Sequence, residues 1–306
     1  MFDKPLEDKT VEAKRSATKI AIVIPTLNER EAVGKVLDGV KDAMEGYNYR
    51  MLVVDGHSID GTEEIATKKG AEVIYQRGKG YGEALKTGFV HSRKRLDAEV
   101  IVMMDADLSY DPKDIPELVA PILKDAADLV VGNRFTGIQK GAMPLVNKVG
   151  NKLLSLIAKL ALRLNIHDTQ SGMRAFKSEL LDSMDVVTRG MPFAIEMLAE
   201  ALSVDARIHE IPIRYRSRVG KTKLNPIKDG GRILGTTLRL MYDTQPLLFF
   251  GGVGTVWGIV GLFLHAVTLP TVMFPFLLMI GAIPFFALGL VVSIIKRHKK
   301  IRTRKV

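Results

Sequence analysis

Apolar runs of strand length alternate with amphipathic stretches through the first two thirds of the chain. Lys19-Ile-Ala-Ile-Val-Ile-Pro25 is continuously apolar, as are Met51-Leu-Val-Val54, Val100-Ile-Val-Met-Met104 and Asp128-Leu-Val-Val131. Runs this short and this rich in β-branched residues predict strands covered on both faces. A shorter strand is expected at 73–75. Between them, Val33, Val36, Leu37, Val40 and Met44 recur at helical spacing, which predicts a helix over 28–44. Further helices are expected over 61–69 and 82–95. Repeated strand–helix units imply an α/β fold with a mixed, mostly parallel sheet flanked by helices. In such sheets a ligand sits beyond the carboxyl ends of the strands.

The pattern changes twice. Over 145–164 apolar residues crowd the chain while Lys148, Lys152, Lys159 and Arg163 recur on one helical stripe. An apolar helix with a cationic stripe suits a membrane interface, or packs with one solvated face. From Thr244 to Ile295 there is no Asp, Glu, Lys or Arg. One spanning helix needs roughly 20 apolar residues, so this length predicts a transmembrane hairpin, with spans near 247–267 and 273–295 and a break at Leu269-Pro270-Thr271. The alternative is a buried hairpin in a soluble protein.

Charge sharpens this picture. The net charge of +10 lies largely in the tail, where Lys296, Arg297, Lys299, Lys300, Arg302, Arg304 and Lys305 follow the apolar stretch. A basic block at that place marks the cytoplasmic side of a membrane, together with Arg232 and Arg239 before the first span. It argues against nucleic acid, which calls for a basic surface across the fold. Cysteine is absent, which excludes disulfides and thiolate metal sites. Residues 1–18 are charged and carry no secretory signal pattern. The expected organisation is an extension over 1–18, a catalytic domain over 19–225, a juxtamembrane helix over 226–245, two spans over 246–295 and a basic cytoplasmic tail over 296–306. The protein is expected in the cell membrane, multi-pass, with the catalytic domain and both ends cytoplasmic.

Candidate chemistry gathers at the strand ends. In Met103-Met-Asp-Ala-Asp-Leu-Ser109, Asp105 and Asp107 follow a buried strand two residues apart, so both side chains are able to face one site. Paired carboxylates there suit Mg²⁺ or Mn²⁺, which take hard oxygen ligands and bridge to phosphates; the bland alternative is a helix cap. Asp55, in Val53-Val-Asp-Gly-His-Ser-Ile-Asp-Gly-Thr62, stands where a nucleobase or ribose would bind, and Asp60 reads as a helix N-cap. His57 has no Ser nucleophile or acid nearby to make a triad and reads as a turn residue. Arg77-Gly-Lys-Gly-Tyr-Gly-Glu-Ala84 is a Gly-rich basic loop before a helix, suited to phosphate. It is neither a dinucleotide fingerprint nor a P-loop; Gly220-Lys-Thr222 also fails as one, because Tyr215 occupies the required glycine position.

These segments, with Pro25-Thr-Leu-Asn-Glu29, occur in the order and spacing of a family 2 glycosyltransferase, and the chain resembles that family over roughly residues 19–240. Gly132-Asn-Arg134, Asp168-Thr-Gln-Ser-Gly-Met-Arg174 and Arg214-Tyr-Arg-Ser-Arg-Val-Gly-Lys-Thr-Lys223 resemble its dolichyl-phosphate mannose synthase and polyprenyl-phosphate hexosyltransferase branch. The resemblance implies a GT-A fold and metal-dependent, inverting transfer of a hexose from a nucleotide diphosphate sugar to dolichyl or polyprenyl phosphate. It implies that Pro25, Asn28, Glu29, Asp55, Asp60, Lys79 and Asp105-Ala106-Asp107 hold the nucleotide sugar. Asp105, Asp107 and Ser109 would hold the metal, although mannose synthases often carry a Gln in place of Ser109. Arg134, Lys148, Arg174, Arg218, Lys221 and Lys223 would attract the acceptor phosphate. Glu196 is the candidate base, or a helix residue paired with a loop cation. The donor is GDP-mannose, UDP-glucose or UDP-N-acetylglucosamine; the Asp55-Gly-His-Ser turn departs from the Asp-Asn-Ser of many mannose synthases. The only Trp is Trp257, in the first span, so the Gln-x-x-Arg-Trp motif of processive synthases is missing. The implied partners are the donor, the lipid phosphate and the bilayer, with self-association left open. The competing readings are transfer to another lipid headgroup such as diacylglycerol, and a non-catalytic membrane scaffold.

Overall fold

The structure is a computed structural model that describes residues 13–184, 190–220, 222, 225–268 and 280–303. It forms two units. One comprises residues up to 156 together with 165–233; the other comprises 157–164 and the chain from 234 onward.

The first unit is built on a seven-stranded sheet. Its strands are β1 (Ile20–Thr26), β2 (Tyr49–Asp55), β3 (Glu72–Tyr75), β4 (Val100–Met103), β5 (Leu129–Ile138), β6 (Arg174–Lys177) and β7 (Ile208–Tyr215), in the order β3-β2-β1-β4-β6-β5-β7. Neighbouring strands run parallel except at β6, which is antiparallel to both β4 and β5. The continuous apolar runs become the centre of the sheet: Ile20 to Ile24 and all of Val100 to Met103 are buried. Full burial of each such side chain contributes about 1.5–3 kcal/mol, which rewards a sheet covered on both faces.

The covering helices are α1 (Val33–Ala43), α2 (Thr62–Lys68), α3 (Tyr81–Lys94) and α4 (Ile115–Leu123). Val33, Val36, Leu37 and Val40 point α1 into the core, as their spacing predicts. The helix expected from residue 28 starts only at Val33. Asn28 takes φ 51° and its carbonyl side chain accepts from the Ile59 amide, so Asn28 belongs to a loop contact. Later in the chain come α5 (Leu145–Leu162), α6 (Phe193–Ser203) and α7 (Pro226–Thr244).

α5 forms where the pattern predicts a helix, with Lys152 of the expected basic stripe exposed, and it also exposes apolar positions. Leu145, Val146, Val149, Leu153, Leu156 and Leu160 are all exposed, Val146 at 78%. Lys148 and Lys159 are half-buried. Lys152 is exposed and stands over the Phe135 ring at 5.7 Å. The buried positions are the small residues Ser155, Ala158 and Ala161, with Ser155 Oγ accepting from the Thr169 amide.

The second unit contains α8 (Pro246–Thr268) and α9 (Ala282–Thr303). They pack antiparallel on small residues. Gly254 lies against Phe286 and the Ala282 carbonyl, and Gly289 against Leu247 and Phe250. Within α8, Pro246–Leu264 has a mean hydropathy of 2.1 and is largely exposed; it is the one described helix long and apolar enough to cross a membrane. The apolar part of α9, Ala282–Ile295, is shorter than a span. The expected break at 269–271 and the start of the second expected span lie outside the described residues.

Candidate functional site

The carboxyl ends of β1, β2 and β4 carry three loops, the first two of which are tied to each other. After β1, the Asn28 amide donates to Ser58 Oγ at 2.8 Å, and the Glu29 amide to Thr62 Oγ1 at 2.9 Å. After β2, Asp55 is wholly buried and accepts from the Thr26 hydroxyl at 2.9 Å and from the Ser58 amide and hydroxyl at 2.6 Å each. These bonds hold the β1 and β2 loops together around the Asp55 carboxylate. Asp60 works similarly, accepting from the Thr62 hydroxyl and from the Thr62 and Arg30 amides. Burial alone would raise its pKa, but these hydrogen bonds outweigh it and hold Asp60 below the ordinary range. His57, at φ 65°, occupies the turn and stacks on Tyr75 at 5.2 Å.

After β4 comes the paired-acid loop. Asp105 Oδ1 accepts from the Tyr81 hydroxyl at 2.9 Å. Asp107 Oδ1 accepts from the Ser109 amide at 2.9 Å, closing a turn in which Leu108 takes φ 64°. Burial first, and the neighbouring Asp107 second, push the Asp105 pKa up to about 7. Two neighbouring carboxylates offer the hard oxygen donors that Mg²⁺ or Mn²⁺ takes. Such a pair fits a divalent cation that takes its other ligands from substrate phosphates; among the described residues no group of three or more His, Cys, Asp or Glu side chains is placed to hold a metal ion. Ser109 is buried, and its hydroxyl is engaged with Tyr215.

A strap closes this loop from β7. The Arg216 amide donates to the Ser109 carbonyl and the Val219 amide to the Asp107 carbonyl, both at 2.8 Å. Arg214 pairs with Asp114 at 2.5 Å and Arg216 with Asp111. Between these ties, an Arg218 nitrogen lies 3.5 Å from Asp107 Oδ2 and 3.6 Å from Glu29 Oε1. Arg218 Nε is buried without a hydrogen-bond partner among the described residues.

A second loop, 168–172, approaches from the other side. Gly172 donates its amide to the Tyr110 hydroxyl at 2.7 Å. A Cβ at Gly172 would stand 3.1 Å from both Asp105 Oδ2 and the Tyr81 hydroxyl, so the backbone itself packs against the acid. Arg134 forms a two-point pair with Asp168, at 2.7 and 2.8 Å, and stacks over Tyr215. Arg174 does not reach the site as an acceptor-phosphate ligand. It is fully buried, and its three nitrogens donate to the carbonyls of Ser171, Ala194 and Thr169. Burial pulls its pKa down to about 10, so it stays charged while tying the 168–172 loop to the start of α6. Glu196 sits in that first turn of α6, half-buried.

Of the other expected residues, Pro25 ends β1 half-buried, Ala106 is buried between the two acids, and Lys79 is exposed just before α3. Lys148 lies on α5, and Lys221 and Lys223 fall outside the described residues. The structure thus brings Glu29, Asp105, Asp107, Ser109 and Arg218 together. Tyr81, Tyr110, Gly172 and Tyr215 join them and carried no spacing signal. Only their adjacency to Lys79-Gly80, Ser109, Ser171 and Arg216 hinted at it.

The chain is similar to several known proteins. The model of glycosyl transferase family 2 matches residues 21–184. A low-salt glycan biosynthesis hexosyltransferase of Haloferax volcanii is 36% identical over 80% of this chain, which spans 58% of that relative's length. A dolichyl-phosphate hexose transferase of the same organism is 36% identical over 70% of this chain and 90% of its own. A dolichol-phosphate mannosyltransferase of Pyrococcus furiosus is 30% identical over 73% and 63%. Among solved structures, glucosyl-3-phosphoglycerate synthase of Mycobacterium tuberculosis, in complex with Mn²⁺, UDP and glucosyl-3-phosphoglycerate, aligns with a TM-score of 0.63 at 23% identity, over 79% of this chain and 86% of its own. That likeness shows the shared fold alone.

Proposed function

The chain belongs to glycosyltransferase family 2, and from that premise we propose that it transfers a hexose from a nucleotide diphosphate sugar to a polyprenyl or dolichyl phosphate at a membrane surface. The observation that carries the reading is the neighbouring pair Asp105 and Asp107 after β4, with Arg218 close to Asp107 and Glu29. This places paired acids and a guanidinium at the edge where such sheets receive ligands. The names of the relatives with a dolichyl-phosphate acceptor support the acceptor class. The length and hydropathy of Pro246–Leu264 and the outward apolar face of α5 support a lipid setting.

In the proposed reaction the phosphate oxygen of the lipid attacks the anomeric carbon, the bond to the nucleoside diphosphate breaks, and configuration inverts. Asp105 and Asp107 would hold the divalent cation, which when bound neutralises charge developing on the diphosphate. Tyr81 fixes the rotamer of Asp105, and the Ser109 amide fixes that of Asp107. Lys79, exposed at the mouth of the Gly-rich loop, adds a cation for the diphosphate. Arg218 supplies one for the acceptor. The phosphate nucleophile is already ionised near neutral pH, so positioning and charge neutralisation supply most of the acceleration and little base assistance is needed.

The test is a panel of labelled GDP-mannose, UDP-glucose and UDP-N-acetylglucosamine offered to the purified full chain with either a short polyprenyl phosphate or diacylglycerol. Labelled polyprenyl-phosphate sugar is the expected product. Product on diacylglycerol alone would move the chain to another lipid acceptor.

A further inference from the structure

Arg218 is held in an unusual position for a group meant to meet a second substrate. Its neighbours are fastened on both sides: Arg216 by its amide to Ser109 and by its side chain to Asp111, and Val219 by its amide to Asp107. Gly220, at φ 83°, turns the chain back beside Glu29. The strap therefore keeps the Arg218 guanidinium next to the two acids. Yet its contacts with Asp107 and Glu29, at 3.5 and 3.6 Å, are longer than the 2.7–2.9 Å typical of a charge-assisted hydrogen bond, and its buried Nε has no acceptor among the described residues. A guanidinium so placed neutralises the carboxylates without being locked to them. It retains donors for another anion.

We propose that Arg218 is the chain's own counter-cation for the metal carboxylates, competing with the divalent ion for Asp107 until a nucleoside diphosphate arrives. The proposal rests on Asp107 being a metal ligand, as in the proposed function. Two cations brought to one carboxylate repel each other. Arg218 thus weakens divalent-ion binding to the nucleotide-free protein. A diphosphate reverses this, because it brings negative charge for both cations at once. Metal and nucleotide then bind cooperatively, and by linkage each raises the other's affinity by the same factor.

The test is Mn²⁺ binding to the full chain in detergent, measured by electron paramagnetic resonance of free Mn²⁺, with and without UDP or GDP. Wild type, Arg218→Gln and Arg218→Lys are compared, each checked for an unchanged melting temperature. Without nucleotide, Arg218→Gln binds Mn²⁺ about tenfold more tightly than wild type, as removal of a neighbouring like charge predicts. The gain on adding nucleotide shrinks correspondingly, and Arg218→Lys stays near wild type. Unchanged or weaker Mn²⁺ binding in Arg218→Gln overturns the proposal, as does an Arg218→Lys variant that matches Arg218→Gln. Because the readout is metal affinity, it is independent of whether polyprenyl phosphate is the acceptor: a failed transfer assay with the expected affinities would reject the acceptor and keep the role of Arg218.

Discussion

Tyr81 donates to Asp105 from the first turn of α3, immediately after the Gly-rich loop, and so links the loop expected at the diphosphate to the first of the two acids proposed to hold the cation. A hydrogen bond to a charged group contributes about 1.5–3 kcal/mol. Tyr81→Phe removes only the hydroxyl and is expected to lower transfer about ten- to a hundredfold while leaving the melting temperature nearly unchanged; steady-state kinetics beside thermal unfolding separate the two. An unaltered rate would show that Asp105 needs no such restraint. At this scale the sequence was partly legible. The placing of Asp105 and Asp107 side by side after β4 was legible, because two acids two residues apart directly follow a buried apolar run. The cations were not. Arg134, Arg174 and Arg218 look alike as letters, but one is spent on Asp168, one on three carbonyls, and one faces the acids. The burial of Asp55 and its bonds to Thr26 and Ser58 were likewise illegible: a strand-end acid reveals neither its burial nor its partners.

Among the elements, close packing of α3 on the sheet depends on one missing side chain. A Cβ at Gly88 would come within 2.5 Å of Val23 Cγ1 and 2.8 Å of Val54 Cγ2. Gly88→Val is expected to destabilise the protein by about 3 kcal/mol through overpacking. Gly150, in α5, has nothing within 4 Å of its Cβ position, and Gly150→Ala is expected to be neutral or to stabilise by up to about 1 kcal/mol. Denaturant titration of the two variants checks the contrast. The parallel strands β1, β2, β4 and β5 announced themselves as apolar runs. β6 did not, since it is four residues long and begins with a buried arginine. The orientation of α5 was also illegible: periodicity shows that a helix has two faces but not which of them the fold covers.

For the whole molecule, charge acts at both ends of the sheet. Away from the site, Arg207 and Lys177 pair with Asp125 and Asp128, joining the starts of β5 and β7 to the end of β6. Hydrogen bonds from Lys177 and then Arg207 hold Asp125 down at about 2, and those from Arg207 hold Asp128 lower still. Both native pKa values lie below the unfolded ones, so the unfolded chain binds more protons as pH falls. The stability they add is present above the ordinary Asp value near 4 and is lost on acidification toward 2. Urea unfolding at pH 7 and pH 3 should show this loss, and Arg207→Ala should flatten it; equal acid sensitivity in both proteins would contradict the assignment.

The central claim is that paired acids hold a divalent cation for hexose transfer to a lipid phosphate. It is tested most directly by counting labelled sugar passed from the nucleotide donor to polyprenyl phosphate by the full chain, with and without a chelator, in wild type and Asp107→Asn. Transfer that vanishes on chelation, returns with Mn²⁺ or Mg²⁺, and stays at least about a hundredfold down in Asp107→Asn is the predicted result. Undiminished transfer in chelator, or in the variant, would contradict it.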